Sequence, residues 1–476
     1  MASSGADPGA GGAASMRPSA PRLVTGSIAK HLWELSAPML IGLVAMSSYS
    51  VADTYFVGQL GTLELAALGF TFPVSFSLVA VGLGIGVGAS SVLARLLGSG
   101  DRETVQRIAT HSMLLAALLG FVVMFVGLAS LDRIFTLLGA DERTLPLIRE
   151  YMEVYYFGGF LLILPLVGNF AMRAVGDARL PALILSISAL ANIILDPLLI
   201  FGWFGLPRLE LRGAAIATVI ANGITVIASL AILYRREHLI RARFLLPARI
   251  WESWRGVLHV GVPATAANLL NPLTVGVITA LVADFGPEAV AGYGVASRVE
   301  SFVMIVIFAV SSSVTPFAGQ NYGAGRIDRV RDMTWLSGKF CLAYGVAVAA
   351  VLWVAGEPLA GIFNDNPAVI ETAAAYLSIV PVTLGAFGFM LVAAACFNAL
   401  GMPLPATALT FVKLFVFYVP LAWVLSSEAG LIGVFLANAI SHVLFGIAAF
   451  VWLRRTLAET DVAFRAGRPA QAEEGR

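Results

Sequence analysis

Twelve stretches of predominantly apolar residues follow one another along the 476-residue chain, each long enough to cross a hydrocarbon core of roughly 30 Å. They occupy residues 32–57, 66–97, 108–130, 145–172, 181–204, 213–234, 256–283, 289–317, 332–355, 369–398, 405–426 and 430–453. In lipid every backbone polar group must be paired within its own segment, and no run alternates as a barrel strand would, so each reads as a helix. The expected architecture is an all-α integral membrane protein with twelve transmembrane helices. Only 12% of the residues are charged and 58% are hydrophobic, against roughly 25% charged in a soluble domain. The net charge of +1 gives no footprint for nucleic acid. Cys341 and Cys396 both fall inside spans, which suggests no disulfide framework and no metal cluster. No cofactor is expected.

Basic residues in short loops stay on the cytoplasmic side. One set of loops carries Arg95, Arg102 and Arg107, then Arg173 and Arg179, then Arg235, Arg236, Arg241, Arg243, Arg249 and Arg255, then Arg326, Arg329 and Arg331, with Arg454 and Arg455 after the last span. The opposite loops lean acidic, with Glu64, Asp141, Asp284, Glu357 and Asp365 among others. This pattern places both termini in the cytoplasm. Residues 1–28 and 456–476 read as unstructured tails, poor in apolar content and without a signal-peptide core.

Shifting the chain along itself by 225 residues lays Pro38 on Pro263, Gly98 on Gly323, Gly100 on Gly325 and Gly176 on Gly401. The strongest local match sets ARLLGSGDRETV (94–105) over GQNYGAGRIDRV (319–330). The chain is expected to consist of two pseudo-symmetric six-helix lobes, 29–235 and 255–455, joined by a basic linker, 236–254, lying on the cytoplasmic surface. Six is even, so the halves share one topology and are related by an axis along the membrane normal, as in transporters where one bundle rocks against the other.

Two carboxylates, Asp53 and Asp196, interrupt otherwise apolar spans. A charge at bilayer depth costs about 2.5–3.5 kcal/mol even on lenient scales, which makes each a candidate functional residue. The repeat provides an internal control. Asp53, Asn169, Asn192 and Asp196 correspond to Ile278, Ala394, Phe417 and Leu421, so the fold itself does not demand polar groups there. At about 1.5 Å per residue, Asp53, Asp196 and Thr218 all reach the outer half of the bilayer. Asn192 and Asp196 lie four apart, on one helix face, and Pro197 frees the carbonyl of Ile193 as a further ligand. Two carboxylates together in low dielectric share a proton or a cation and titrate as a pair. Binding then biases a conformational equilibrium, and an all-oxygen ligand set suits Na+ as well as H+.

The segments APMLIGLVAMSSYSVADTYFVGQLGTLELAALGF (37–70), NFAMRAVGDARLPALILSISALANIILDPLLIF (169–201), GAAIATVIAN (213–222) and AGYGVASRVESF (291–302) resemble the multidrug and toxic-compound extrusion (MATE) family, and in particular its DinF-like branch. The resemblance implies two lobes in a V shape, a central cavity, and antiport of organic cations against H+ or Na+. It also implies a cation site, for H+ or Na+, at Asp53, Asn192, Asp196 and Thr218, and a substrate pocket using Tyr49, Tyr151 and Asn169. The NorM-like branch adds acidic residues on the seventh and tenth helices. Here the seventh span offers only Asn268 and Asn271, and Glu371 lies at the outer end of the tenth, so coupling is expected through the first lobe.

Arg298 and Glu300 are two residues apart and on nearly opposite helix faces, which points to separate structural partners. Lys413 is placed either to snorkel back to the cytoplasmic interface or to line the cavity. A flippase for lipid-linked saccharides or cell-wall precursors is the main alternative, but its phosphates call for several buried cations. An enzyme lacks a recognisable catalytic constellation, and a channel lacks a symmetric ring of filter residues. The expected protein is a monomeric antiporter in the lipid bilayer, exporting amphipathic organic cations.

Overall fold

The computed structural model describes residues 22–244 and 249–466. Twelve membrane-crossing helices run through it: α1 (Ile28–Gly58), α2 (Thr62–Ser99), α3 (Arg102–Leu137), α4 (Thr144–Phe157 plus Gly159–Ala174), α5 (Arg179–Phe201), α6 (Glu210–Arg236), α7 (Ile250–Ala283), α8 (Pro287–Gly323), α9 (Ile327–Phe363), α10 (Pro367–Leu400), and the run Pro403–Arg465, which Gly430 divides into α11 and α12. Gly430, at φ 60° and ψ −145°, takes a backbone conformation that breaks this run into two crossings. α4 bends by 52° at Gly158. There an added Cβ would stand 2.6 Å from the Val219 side chain of α6, so the bend is drawn in against a neighbour.

The repeat is visible in the packing. α1 to α6 form one lobe and α7 to α12 the other, but the first half of each leading helix crosses to the opposite lobe. Leu32, Leu35 and Met39 of α1 join the core of the second lobe with Val310, Val314 and Phe317, and Ser36 bonds Ser313 at 2.9 Å. Reciprocally, Val257 of α7 sits in the first-lobe core, Ser253 meets His111 at 2.8 Å, and Trp254 Nε1 donates to the His111 carbonyl at 2.9 Å.

The matched glycine motif lies where the lobes touch. A Cβ on Gly98 would fall on the Gln320 carbonyl, and one on Gly323 on the Arg95 carbonyl, so α2 and α8 cross backbone to backbone through a reciprocal glycine pair. Around that crossing Ser91 donates to the Asn398 carbonyl, Arg95 to the Leu400 carbonyl at 3.1 Å, Gln320 to the Ala174 carbonyl at 2.7 Å and Arg173 to the Ser312 carbonyl at 2.5 Å. Among the described residues the hydrogen bonds between lobes belong to the arginine-rich half, and the lobes are closed there.

The ends differ from the apolar spans. Leu23, within the segment expected to be a tail, is buried, and its backbone N–H donates to Gln320 Oε1 at 3.1 Å. α12 runs on to Arg465, well beyond residue 453. The remainder of both expected tails, 1–21 and 467–476, and linker residues 245–248 lie outside the described residues.

Candidate functional site

The first lobe encloses a cavity of about 190 Å³ between α1, α2, α4, α5 and α6. Tyr49 and Asp53 enter from α1, Tyr151 and Asn169 from the two segments of α4, Asn192 from α5 and Thr218 from α6, and all six line it. Asn192 Nδ2 donates to Thr218 Oγ1 at 3.3 Å, tying α5 to α6. Asp196 is different. It lies one turn past Asn192 on the same helix face, wholly buried and outside the cavity wall, close enough to Asp53 for their charges to interact.

The polar atoms here are largely unsatisfied. Asp53 Oδ1, Asn192 Oδ1 and both carboxylate oxygens of Asp196 are buried with no hydrogen-bond partner among the described residues. Buried acceptors left this way cost about 1–3 kcal/mol each, and the set contains only hard oxygen. Such a group fits a proton or a small hard cation. The Asn192 amide is already oriented by Thr218 through its nitrogen, which leaves its oxygen without a partner.

Several cavity residues escape a reading by span and motif. Tyr155 stacks on Tyr151 with ring centroids 5.8 Å apart and planes at 20°, and Asn222 completes the α6 wall one turn beyond Thr218. Both lie four residues from a residue already singled out, so the helical face rule would have found them. Thr71 and Ser75 of α2 also line the cavity, and no charge or motif in the sequence marks them.

The 225-residue offset carries Ser75 to Glu300, Tyr151 to Tyr376, Leu162 to Phe387 and Ser188 to Lys413. These four second-lobe residues form a cluster of their own, with Tyr376 and Lys413 buried and Glu300 and Phe387 half-buried. Tyr376 donates its hydroxyl to Glu300 at 2.5 Å, and Asn438 Nδ2 donates to the Tyr376 oxygen at 3.4 Å. Lys413 neither snorkels nor reaches the first-lobe cavity. It is buried within a π-helical turn, Val412–Tyr418, with Nζ 4.3 Å over the Phe387 ring. Phe387 in turn stacks on His442 at 4.6 Å. Glu300 and Lys413 interact electrostatically but make no ion pair within 4.0 Å. The sequence offset compares the acidic positions of lobe one with apolar positions of lobe two, and so misses that lobe two places its own charges where lobe one has serines.

Helical halves that meet at one end, with unsatisfied acceptors beside a cavity at membrane depth, are built to carry a solute across by exposing it to alternate sides. The chain is a multi-pass membrane transporter and not an enzyme. It belongs to the MATE family: the MatE family model matches residues 38–198 and again 263–424, one copy in each lobe. It is 37% identical over 434 residues to a protein of Shewanella oneidensis described as an FAD transporter, covering 91% of this chain and 96% of that one. It is 27% identical over 434 residues to a probable multidrug resistance protein NorM of Thermotoga maritima, covering 89% and 92%. The crystal structure of the Vibrio cholerae MATE transporter VcmN in its bent form superposes with a TM-score of 0.87 at 28% identity, covering 91% of this chain and 98% of that one.

Proposed function

We propose that the protein is a cation-coupled antiporter of the cytoplasmic membrane, with both termini cytoplasmic, that exports amphipathic organic cations as a monomer in exchange for H+ or Na+. The carrying observation is the group of unpartnered oxygens on Asp53, Asn192 and Asp196 beside an aromatic cavity. Asp53 reaches the cavity and Asp196 stands behind it, so a cation entering from the cavity meets Asp53 first. Neutralising Asp53 removes the need to solvate it and lets α1, weakened at Pro38, repack and shrink the pocket. Tyr49, Tyr151 and Tyr155 supply ring faces for a flat cationic solute, with Asn169 as a polar contact whose Nδ2 has no partner.

A second reading, export of a flavin dinucleotide, is favoured by the 37% identity to the FAD transporter, which exceeds the 27% to NorM. The cavity would take a ring system, while the phosphates would need cations, which its described lining residues do not include. Lipid-linked saccharides would place a heavier demand on cations than the buried Lys413 and Arg173 supply.

Proteoliposomes loaded with a fluorescent cationic dye or with FAD, under an imposed pH gradient and then a Na+ gradient, test both. Gradient-driven movement of one substrate, lost in Asp53→Asn, names substrate and ion together. Wild-type transport that survives unchanged in Asp53→Asn would remove Asp53 from the coupling site. Movement of neither substrate under either gradient would favour the flippase reading.

A further inference from the structure

The second lobe carries a groove of about 720 Å³ on its outer face between α9 and α12, floored by Ala386 and Phe389 of α10. Its floor is aromatic: Trp335 lies flat on Phe389, with centroids 5.8 Å apart and planes at 5°, and Phe450 closes on both at 5.1 and 5.9 Å. Three cations line the same groove, Arg331, Lys339 and Arg454, all exposed, and no carboxylate does. Arg331 reaches Asp332 at 3.8 Å. Lys339 and Arg454 make no ion pair among the described residues.

Depth explains the arrangement. From Arg331 to Leu342 the α9 wall rises eleven residues, about 16 Å at 1.5 Å per residue, or roughly half of a 30 Å hydrocarbon core. The groove therefore runs from headgroup level at the arginine-rich end to the bilayer midplane, the length of one leaflet's acyl chain. Lys339 sits eight residues beyond Arg331, about 12 Å deeper, where a lipid-facing ammonium is costly. A lysine stem at this depth can run back along the groove toward the interface, the end at which Arg331 also lines it. Three cations around an apolar slot at this depth make a complementary seat for a phosphate attached to a hydrocarbon chain.

We propose that this groove binds one anionic phospholipid, its acyl chain on the Trp335, Phe389 and Phe450 floor and its headgroup phosphate among Arg331, Lys339 and Arg454. The inference rests on the membrane reading alone and is independent of the transported solute and coupling ion. The full chain, purified in mild detergent and offered phosphatidylglycerol or phosphatidylcholine at equal concentration, is read by native mass spectrometry. One retained phosphatidylglycerol, favoured on the order of tenfold over phosphatidylcholine, is expected. The triple variant Arg331→Ala/Lys339→Ala/Arg454→Ala should lose that preference. Ile447→Trp, which narrows the slot at an exposed position, should reduce retention of both lipids and provides the test if the triple variant does not fold. Equal retention of the two lipids by wild type, a preference unchanged in the triple variant, retention unaffected by Ile447→Trp, or a mass showing a second protein copy over this face would overturn the proposal.

Discussion

Gly98→Ala adds one methyl group at the point where α2 crosses α8. The new Cβ would fall on the Gln320 carbonyl oxygen, 2.8 Å from its carbon and 3.0 Å from the Ala324 nitrogen. These are backbone atoms of one helix and cannot rotate aside as a side chain would, so the helices must move apart. Overpacking of this kind costs about 1–3 kcal/mol, and it burdens only the state in which the arginine-rich end is closed. At about 1.4 kcal/mol per tenfold, closed molecules become roughly 5 to 150 times rarer relative to open ones. Gly100→Ala is the matched control. Gly100 has φ +84° and nothing within 4 Å of an added Cβ, so that change strains the backbone by about 1–2 kcal/mol without wedging the lobes. Spin labels at exposed Ser99 and Arg326, read as a distance distribution by pulsed electron resonance, should show a longer component in Gly98→Ala and none in Gly100→Ala. An unchanged distribution in Gly98→Ala, or the same shift in both, would refute the wedge.

Glu300→Gln and Lys413→Met should each lower thermal stability in detergent, and the double variant should lose less than the sum, with a coupling on the order of 0.5–3 kcal/mol; strictly additive losses would mean that the two charges do not sense each other. Asp101 caps α3 by accepting the Thr104 N–H at 3.1 Å, so Asp101→Ala should cost about 1 kcal/mol of stability near neutral pH. The hydrogen bonds from Thr104 hold the Asp101 carboxyl below the usual carboxylate range. Its contribution is therefore present above the unfolded value of about 3.9 and fades as pH falls through the folded one. The difference in melting temperature between wild type and Asp101→Ala should accordingly narrow below about pH 4.

The repeat motif around Gly98 and Gly323 marked a turn common to both halves. Only packing showed that the two glycines meet across the pseudo-symmetry axis. The break in α4 was similarly invisible, because the residues next to Gly158, VYYF before it and GFLLIL after it, are apolar on both sides and hydropathy carries no direction. Asp53 and Asn192 were legible as polar outliers in apolar spans and Thr218 through the family resemblance, whereas Thr71 and Ser75 of the same cavity were not, since a hydroxyl in a membrane helix can bond its own backbone, as Thr71 does to the Leu68 carbonyl at 2.7 Å.

Hydrophobic length determined the class of fold without help from any tertiary contact: in lipid the backbone has few ways to pair its polar groups, so a chain with twelve long apolar runs has little choice but to form helices. The placement of the charges was another matter. That Asp53 faces a cavity while Asp196 stands behind it, and that Lys413 turns into the second lobe toward Glu300 instead of out to the interface, depends on which helices surround each residue. A sequence position fixes depth and helix face. The identity of the neighbours across that face follows from how six helices close around one another in each lobe.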